Sequence, residues 1–431
     1  MKKCLVFLIV LMTFLSRAEA IDLKESIGVA IKTNPTVIAA EKKAAAAGAR
    51  FNQAVSAFFP TVDVSGNYNK SHASPTTVQI NNQNVTIGTN DTATVTGVNA
   101  GLTQPLFVAA LFPGYGIAQK GSDSAKEEYR QTIVDTYFNV TRTYFGVLLS
   151  QKMKELMSES LAMAASHRKQ VQSMLNAGMS TKADFLRSKV REANASVDLI
   201  KSKYDIELSK DAFNNALGYD QTRPVELKDE GFSGIVKNLP EYDVLLKTAY
   251  ANRPDWKIYL LANGISEEQL RLSQSEYLPS VVLNASSGSQ LTKYPSFQSD
   301  VNSWKVAGSG SWTLFDSLGR ENRVREASEN LASQKASTDQ VKNNIAMQVH
   351  DAFLNLKSAL DTIGATKQAV DSAKESYNVA TARYNAGMGT NTDVLDSQVD
   401  LTEAETNYLR ALFDVEIAKA KINQAVGKAV L

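Results

Sequence analysis

Apolar and polar positions follow two different periods along this chain, and the switch between them recurs in each half. After Pro60, the even positions carry Val62, Val64, Gly66 and Tyr68, and the odd ones carry Thr61, Asp63, Ser65, Asn67 and Asn69. A period of two predicts a β-strand with one apolar face. The second half opens less regularly after Pro279, with Val281-Val282-Leu283-Asn284-Ala285-Ser286. Its returning strand is clearer: Trp304, Val306, Gly308, Gly310, Trp312 and Leu314 alternate with Ser303, Lys305, Ala307, Ser309, Ser311 and Thr313. An apolar face opposite a small, polar one inverts the pattern of a soluble barrel and suits a lipid-facing one. Trp304 and Trp312 are eight residues apart on the apolar face, or ~26 Å of strand. That approaches the height of an outer-membrane apolar band and predicts an aromatic girdle at each rim.

Beyond the strands the period becomes helical. No proline occurs between Pro113 and Pro224 or after Pro295. Proline costs roughly 3 kcal/mol inside a helix, so these stretches, rich in Ala, Gln, Lys and Glu, predict long helices. A helix from about Ile117 to Leu175 would be ~85 Å long, which suits a coiled or tubular bundle. Val190, Ala193, Val197, Ile200, Tyr204 and Leu208 step by three and four, as a coiled-coil seam does. Val399, Thr406 and Phe413 form a weaker copy of that stripe.

The chain is duplicated. Asn176-Ala177-Gly178-Met179 and Asp184 return as Asn385-Ala386-Gly387-Met388 and Asp393, offset by 209 residues, as from Gly178 to Gly387. The return helices end alike, at Asn214-Asn215-Ala216-Leu217-Gly218 and Asn423-Gln424-Ala425-Val426-Gly427. Earlier elements repeat at 219, as from Pro35 to Pro254, so the first copy holds a longer insert. The polar, Asn- and Thr-rich residues 70–91 are the place for it and predict an exposed loop. The expected organisation is a signal peptide at 1–20, a first repeat at 21–219, a linker at 220–240 and a second repeat at 241–431. Each repeat reads helix, strand, loop, strand, long helix, tip and return helix. Four strands cannot close a barrel, for which about eight is the working minimum, so the barrel must be oligomeric.

Composition narrows the function. Lys2 and Lys3, the apolar run from Leu5 to Leu15 and Ala18-Glu19-Ala20 predict a secretory signal. Cys4, the sole cysteine, lies within it, which leaves the exported part no disulfide, thiol catalysis or cysteine metal site. Removing Lys2, Lys3, Arg17 and Glu19 from 46 basic and 45 acidic residues leaves 43 against 44. A nucleic-acid binder would carry a basic excess. With no apolar run of eighteen residues after the signal, membrane entry requires a closed barrel.

Several motifs point further. They are Asn34-Pro35, the strand-to-helix junctions Gln104-Pro105-Leu106-Phe107 and Leu314-Phe315-Asp316-Ser317-Leu318-Gly319, and the tips Tyr384-Asn385-Ala386-Gly387 and Asp393-Val394-Leu395-Asp396. In this order and spacing, over essentially the whole mature chain, the sequence resembles the TolC-type outer-membrane efflux channels. The resemblance implies a mainly α chain with a membrane β-barrel, a homotrimer whose twelve strands form one barrel in outer-membrane lipid, and a twelve-helix α-barrel across the periplasm of a Gram-negative cell. It implies an exit duct for efflux or type I secretion, opened by a periplasmic adaptor bound to an inner-membrane pump. The rival reading from the residues is a periplasmic coiled-coil scaffold or adaptor without a pore, against which the strands and their tryptophans stand.

Site residues follow in part from chemistry and in part from the resemblance. Asp184 and Asp393 each lie three residues after a threonine, in capping-box register with Thr181 and Thr390. Asp396 is not explained so; its counterpart is Arg187. Asp393 and Asp396 share a helix face. The resemblance implies that they line the pore constriction, six carboxylates per trimer, and that Tyr384 and Asp184 form a gate link between neighbouring coils. Gly389 stands where an arginine of the lock is expected, and Ala183 lacks that arginine's hydroxyl partner. The tips Ala177, Gly178, Met179, Ala386, Gly387 and Met388 are the expected adaptor contacts. His72, His167 and His350 are scattered without ligand spacing, so no metal or cofactor is expected, and no grouping supports catalysis.

Overall fold

The computed structural model describes residues 20–88, 91–229, 231–232 and 239–428. Residues 1–19 of the expected signal, Cys4 included, and part of the expected linker lie outside them. Two compact units partition the chain. One comprises residues 1–42, 127–256 and 341–431, the other 43–126 and 257–340.

The first unit is helical. The helices α1 (Leu23–Thr33) and α2 (Pro35–Ser56) meet at Asn34. Pro35 forces the residue before it out of helical backbone, and Asn34 is extended (φ −68°, ψ 121°). The amide of Asn34 then donates to Ala216 O at 2.9 Å, and the Thr33 hydroxyl donates to Leu217 O at 2.6 Å. Both accepting carbonyls belong to the last turn of α4 (Lys182–Leu217), which would otherwise lack partners. The second repeat solves this differently. Between α5 (Tyr242–Asn252) and α6 (Pro254–Ser275), Arg253 donates from Nη1 to Ala425 O at the end of α8 (Asn391–Val426), and pairs with Asp255 at 2.6 Å. The long helices α3 (Leu111–Asn176) and α7 (Gly319–Asn385) contribute residues to both units. One core cluster joins α1, α3 and α4 through Val140, Tyr144, Leu148, Phe213 and Leu217. Another joins α5, α7 and α8 through Leu245, Ile345, Leu356, Val415 and Ile422.

The stripe read as a coiled-coil seam on α4 does not pack within the chain. Val190, Val197, Ile200, Tyr204 and Leu208 are exposed, and Ser188, Ala195 and Ser202 are buried instead. Small side chains let helices approach closely, so the close intrachain contact takes them and leaves the larger apolar ones outside.

The second unit holds an antiparallel sheet ordered β1 (Thr61–Ala73), β4 (Asp91–Val108), β5 (Ser280–Lys293) and β6 (Gln298–Ser311). Register places Val62, Leu102, Ala285 and Val306 in one row and Val64, Ala100, Ser287 and Trp304 in the next. The apolar alternation of single strands thus becomes one continuous face. On the other face, the space at Gly97 and Gly101 is filled by the Asn67 and Asp63 side chains, within 2.6 and 2.9 Å of where a Cβ would stand. Among the described residues, β1 and β6 are the sheet's unpaired edges.

Residues 70–91 depart from the expected loop. β1 continues to Ala73, and a separate hairpin follows, β2 (Thr76–Ile80) and β3 (Gln83–Ile87). Its two-residue turn is Asn81-Asn82, both at positive φ (51° and 66°). Those angles are those of a type I′ turn, whose twist matches that of paired strands, and Asn tolerates them without glycine.

At the exit from β6 the junction Leu314–Gly319 is built around Arg320. Its guanidinium is buried and donates to Thr313 O at 2.7 Å and Leu314 O at 3.1 Å, and it lies over the Tyr277 ring. Ser317 and Leu318 take left-handed backbone there (φ 58° and 67°).

Candidate functional site: the paired helical tips

The two hairpin tips share one construction. Gly178 (φ 74°) donates its N–H to Leu175 O at 3.0 Å, and Met179 donates to Met174 O at 2.8 Å. Gly387 (φ 72°) and Met388 repeat the bonds with Tyr384 O and Arg383 O at 3.0 and 2.8 Å. This is the Schellman closure, in which a left-handed residue turns the last carbonyls of a helix back onto main-chain donors. Met179 and Met388 are left 73% and 69% exposed.

Each return helix then starts on a threonine. Thr390 and Asp393 form a complete capping box: Asp393 N donates to the Thr390 hydroxyl at 3.1 Å, and Thr390 N donates to the Asp393 carboxylate at 2.9 Å. These bonds hold the Asp393 carboxyl below its usual range, first through the Thr390 main chain and then through its hydroxyl. At the other tip the Thr181 hydroxyl donates to the Asp184 carboxylate at 2.7 Å while accepting from Asp184 N. The capping role is therefore visible in a single chain for both aspartates. Asp396 is exposed on α8, one turn beyond Asp393.

Tyr384 and Asp184 line one cavity of about 540 Å³ between the tips, without bonding to each other. The Tyr384 ring is buried, and its hydroxyl has no hydrogen-bond partner among the described residues. Gly389, also lining the cavity, leaves little room: a Cβ there would stand 3.1 Å from Tyr384 N and 3.2 Å from Arg383 Cβ.

The structure adds a residue that sequence reasoning passed over. His167 of α3 is 4% exposed, and its Nε2 lies 2.8 Å from Asn391 Oδ1. The Asn391 amide nitrogen donates to Asp184 O at 3.3 Å, so its oxygen faces the imidazole and selects the Nε2–H tautomer. The rings of His167 and Tyr384 meet edge to face at 5.4 Å. Val171, Val394, Met174 and Phe185 complete the packing. Further bonds tie the hairpins together, from Gln170 to Asn385 and from Arg187 to Thr392. Burial pushes the imidazole pKa down, and the bond to Asn391 opposes this in part. No short sequence spacing could have disclosed the site, because His167 and Asn391 stand 224 residues apart.

Trp304 and Trp312 are both exposed, Trp304 at 79%. Trp304 lies in the middle of β6, where the face changes from Asn302 and Asp300 to Val306 and Gly308. Trp312 lies one residue beyond the strand and donates from Nε1 to Tyr277 O at 3.1 Å. Phe59, Phe112 and Phe315 are exposed near the strand-to-helix junctions, aromatics that the period-two pattern did not disclose.

A sheet with one apolar face and long helical hairpins with matched tips fit the class of outer-membrane exit ducts. The chain belongs to the outer membrane efflux protein family, whose model matches residues 27–219 and 245–428. It is 23% identical to the outer membrane protein TolC of Escherichia coli K12, over 99% of this chain and 87% of that one. It is 25% identical to the alkaline protease secretion protein AprF of Pseudomonas aeruginosa, over 76% of this chain and 68% of that one. Among solved structures, the outer-membrane channel OprN superposes with a TM-score of 0.81 at 18% identity, covering 94% of this chain and 89% of that one. CusC gives 0.79 at 19% identity, covering 94% and 92%. The protein is an outer-membrane component of transport, and the pore-free scaffold reading is set aside.

Proposed function

We propose that the chain forms a homotrimeric channel whose twelve strands close one barrel in outer-membrane lipid and whose helices continue it as a twelve-helix tunnel. The observation that carries this reading is the four-stranded sheet, with a continuous apolar face and two unpaired edges, β1 and β6. Pairing β6 of one copy with β1 of the next removes every edge, as spanning a bilayer requires. The exposed stripe on α4 supplies an apolar face for a neighbouring copy's helices. Trp304 and Trp312 bracket the lipid-facing band on β6. The duct does no chemistry, holds no cofactor or metal, and binds no nucleic acid. A periplasmic adaptor, joined to an inner-membrane pump, docks on Ala177, Gly178, Met179, Ala386, Gly387 and Met388. Substrate choice belongs to the pump.

Asp393 and Asp396 ring the constriction, and Tyr384 links to Asp184 of the adjoining coil in the closed state, which gives its unpartnered hydroxyl an acceptor. Six carboxylates around a narrow path favour cations. The test is single-channel recording in planar bilayers under a salt gradient. Wild type is expected to conduct with cation selectivity, and Asp393→Asn with Asp396→Asn is expected to move the reversal potential toward zero and to relieve block by multivalent cations. A trimer without ion flux would remove the channel reading. An unchanged reversal potential would leave the aspartates as caps alone.

A further inference from the structure

The His167 site joins all four helices of the two tips, and capping, docking and the carboxylate ring leave it without a use. His167 comes from α3, Asn391 is the first residue of α8, the Asp184 carbonyl belongs to the first turn of α4, and the Tyr384 ring comes from the last turn of α7. The imidazole therefore bonds one hairpin to the other.

We propose that His167 is a protonation-sensitive latch, which holds the two hairpin tips together while neutral and lets them part when charged. The inference rests on the tip-gate reading above. A second proton would place a full charge beside a neutral amide that already accepts from Nε2, on a buried ring that packs edge to face against Tyr384. Charging a buried group without a counter-ion is unfavourable.

Among the described residues, the charges on the surrounding elements are engaged elsewhere. Arg168 of α3 is paired with Glu192 of α4. On α4, the Asp184 carboxylate accepts from Thr181, Arg187 bonds Thr392, and Arg191 adds a positive charge. On α7, Arg383 reaches Met388 O, and on α8, Asp393 is held by Thr390. The imidazole pKa is accordingly lower with the tips joined than it would be in water. Its contribution to the joined state is complete above the solvent-exposed pKa and fades as pH falls. Glu405 of α8, raised by burial and by Glu159 of α3, and Asp414 of α8, raised by burial, are competing acid-sensitive groups.

The experiment records the full-length trimer in planar bilayers at about pH 7.5 and about pH 5, a window that spans histidine titration. The background is Asp393→Asn with Asp396→Asn, which removes the ring carboxylates. With His167 present, the open fraction is expected to rise on acidification, about tenfold for each pKa unit separating the joined and parted states. His167→Gln keeps an N–H toward Asn391 but cannot titrate, and is expected to flatten the response. An equal response in the Gln variant, or none in either chain, overturns the latch while the channel reading stands. No conductance at any pH removes the channel reading and the latch with it. Independently, ¹⁵N-histidine NMR of the trimer is expected to show the His167 imidazole titrating below the ordinary histidine value of 6.5. Titration at or above that value overturns the proposal even if the Gln variant fails to assemble.

Discussion

Glycines with nearly the same backbone angle have different standing in this chain. Gly218 and Gly427 end the return helices at φ 77° and 70°, where an added Cβ would stand 2.7 Å from Asn34 Cα and 2.9 Å from Arg253 Cα. Gly178 and Gly387 share the angle, but nothing lies within 4 Å of the added atom. Alanine at either tip therefore meets only the left-handed strain, about 1 kcal/mol. Alanine at Gly218 or Gly427 meets that strain and a main-chain clash, and is expected to cost about 2 kcal/mol or more. Denaturant unfolding of the four single variants checks the ordering. Bulky replacements at both tips are expected to leave assembly intact and abolish transport, because they fill the space that the proposed docking gives to the adaptor. Normal transport by that double variant would move the docking site elsewhere. Asp393 sets a separate limit on pH effects. Its carboxyl is depressed, so its cap is complete above the usual 3.8 and is lost only as pH falls below it. Mild acid leaves that cap in place.

Among the elements, legibility followed the range of the interactions that decide each one. The long helices were readable because proline is absent from them beyond Pro113 in the first turn of α3, and the tips because the Schellman turn and the capping box are each set by a few adjacent residues. The hairpin β2–β3 was missed because its Asn81-Asn82 turn lacks the glycine that usually marks such turns and sits among Thr and Asn. The α4 stripe was found, but what covers it was not. A three-four spacing shows that a face is apolar and not what covers it. His167 was passed over for a related reason, since its meaning lies in Asn391 and Tyr384, brought near only by the fold. The stripe gives a direct test at this scale. Ile200→Glu with Leu208→Glu removes apolar surface that is largely exposed on the single chain. Chain secondary structure is expected to survive, by circular dichroism, while the trimer is lost by sedimentation in detergent. A stable trimer would place the subunit contact on another face.

For the whole molecule, the decisive feature is the pair of unpaired edges, thirteen residues of β1 and fourteen of β6. Such edges are sites of unwanted pairing until a partner covers them. In the proposed trimer, barrel closure and oligomer assembly would be one event, and a chain could not be inserted first and assembled later. This has a genetic consequence. A copy damaged only at its β6 edge still offers a sound β1 edge, so it joins a ring that it prevents from closing. If damaged and intact copies are made equally and mix at random in threes, about one ring in eight contains none of the former. Such alleles are therefore expected to be dominant, poisoning most channels in a cell that still carries a good gene, whereas an allele that makes no protein would be recessive.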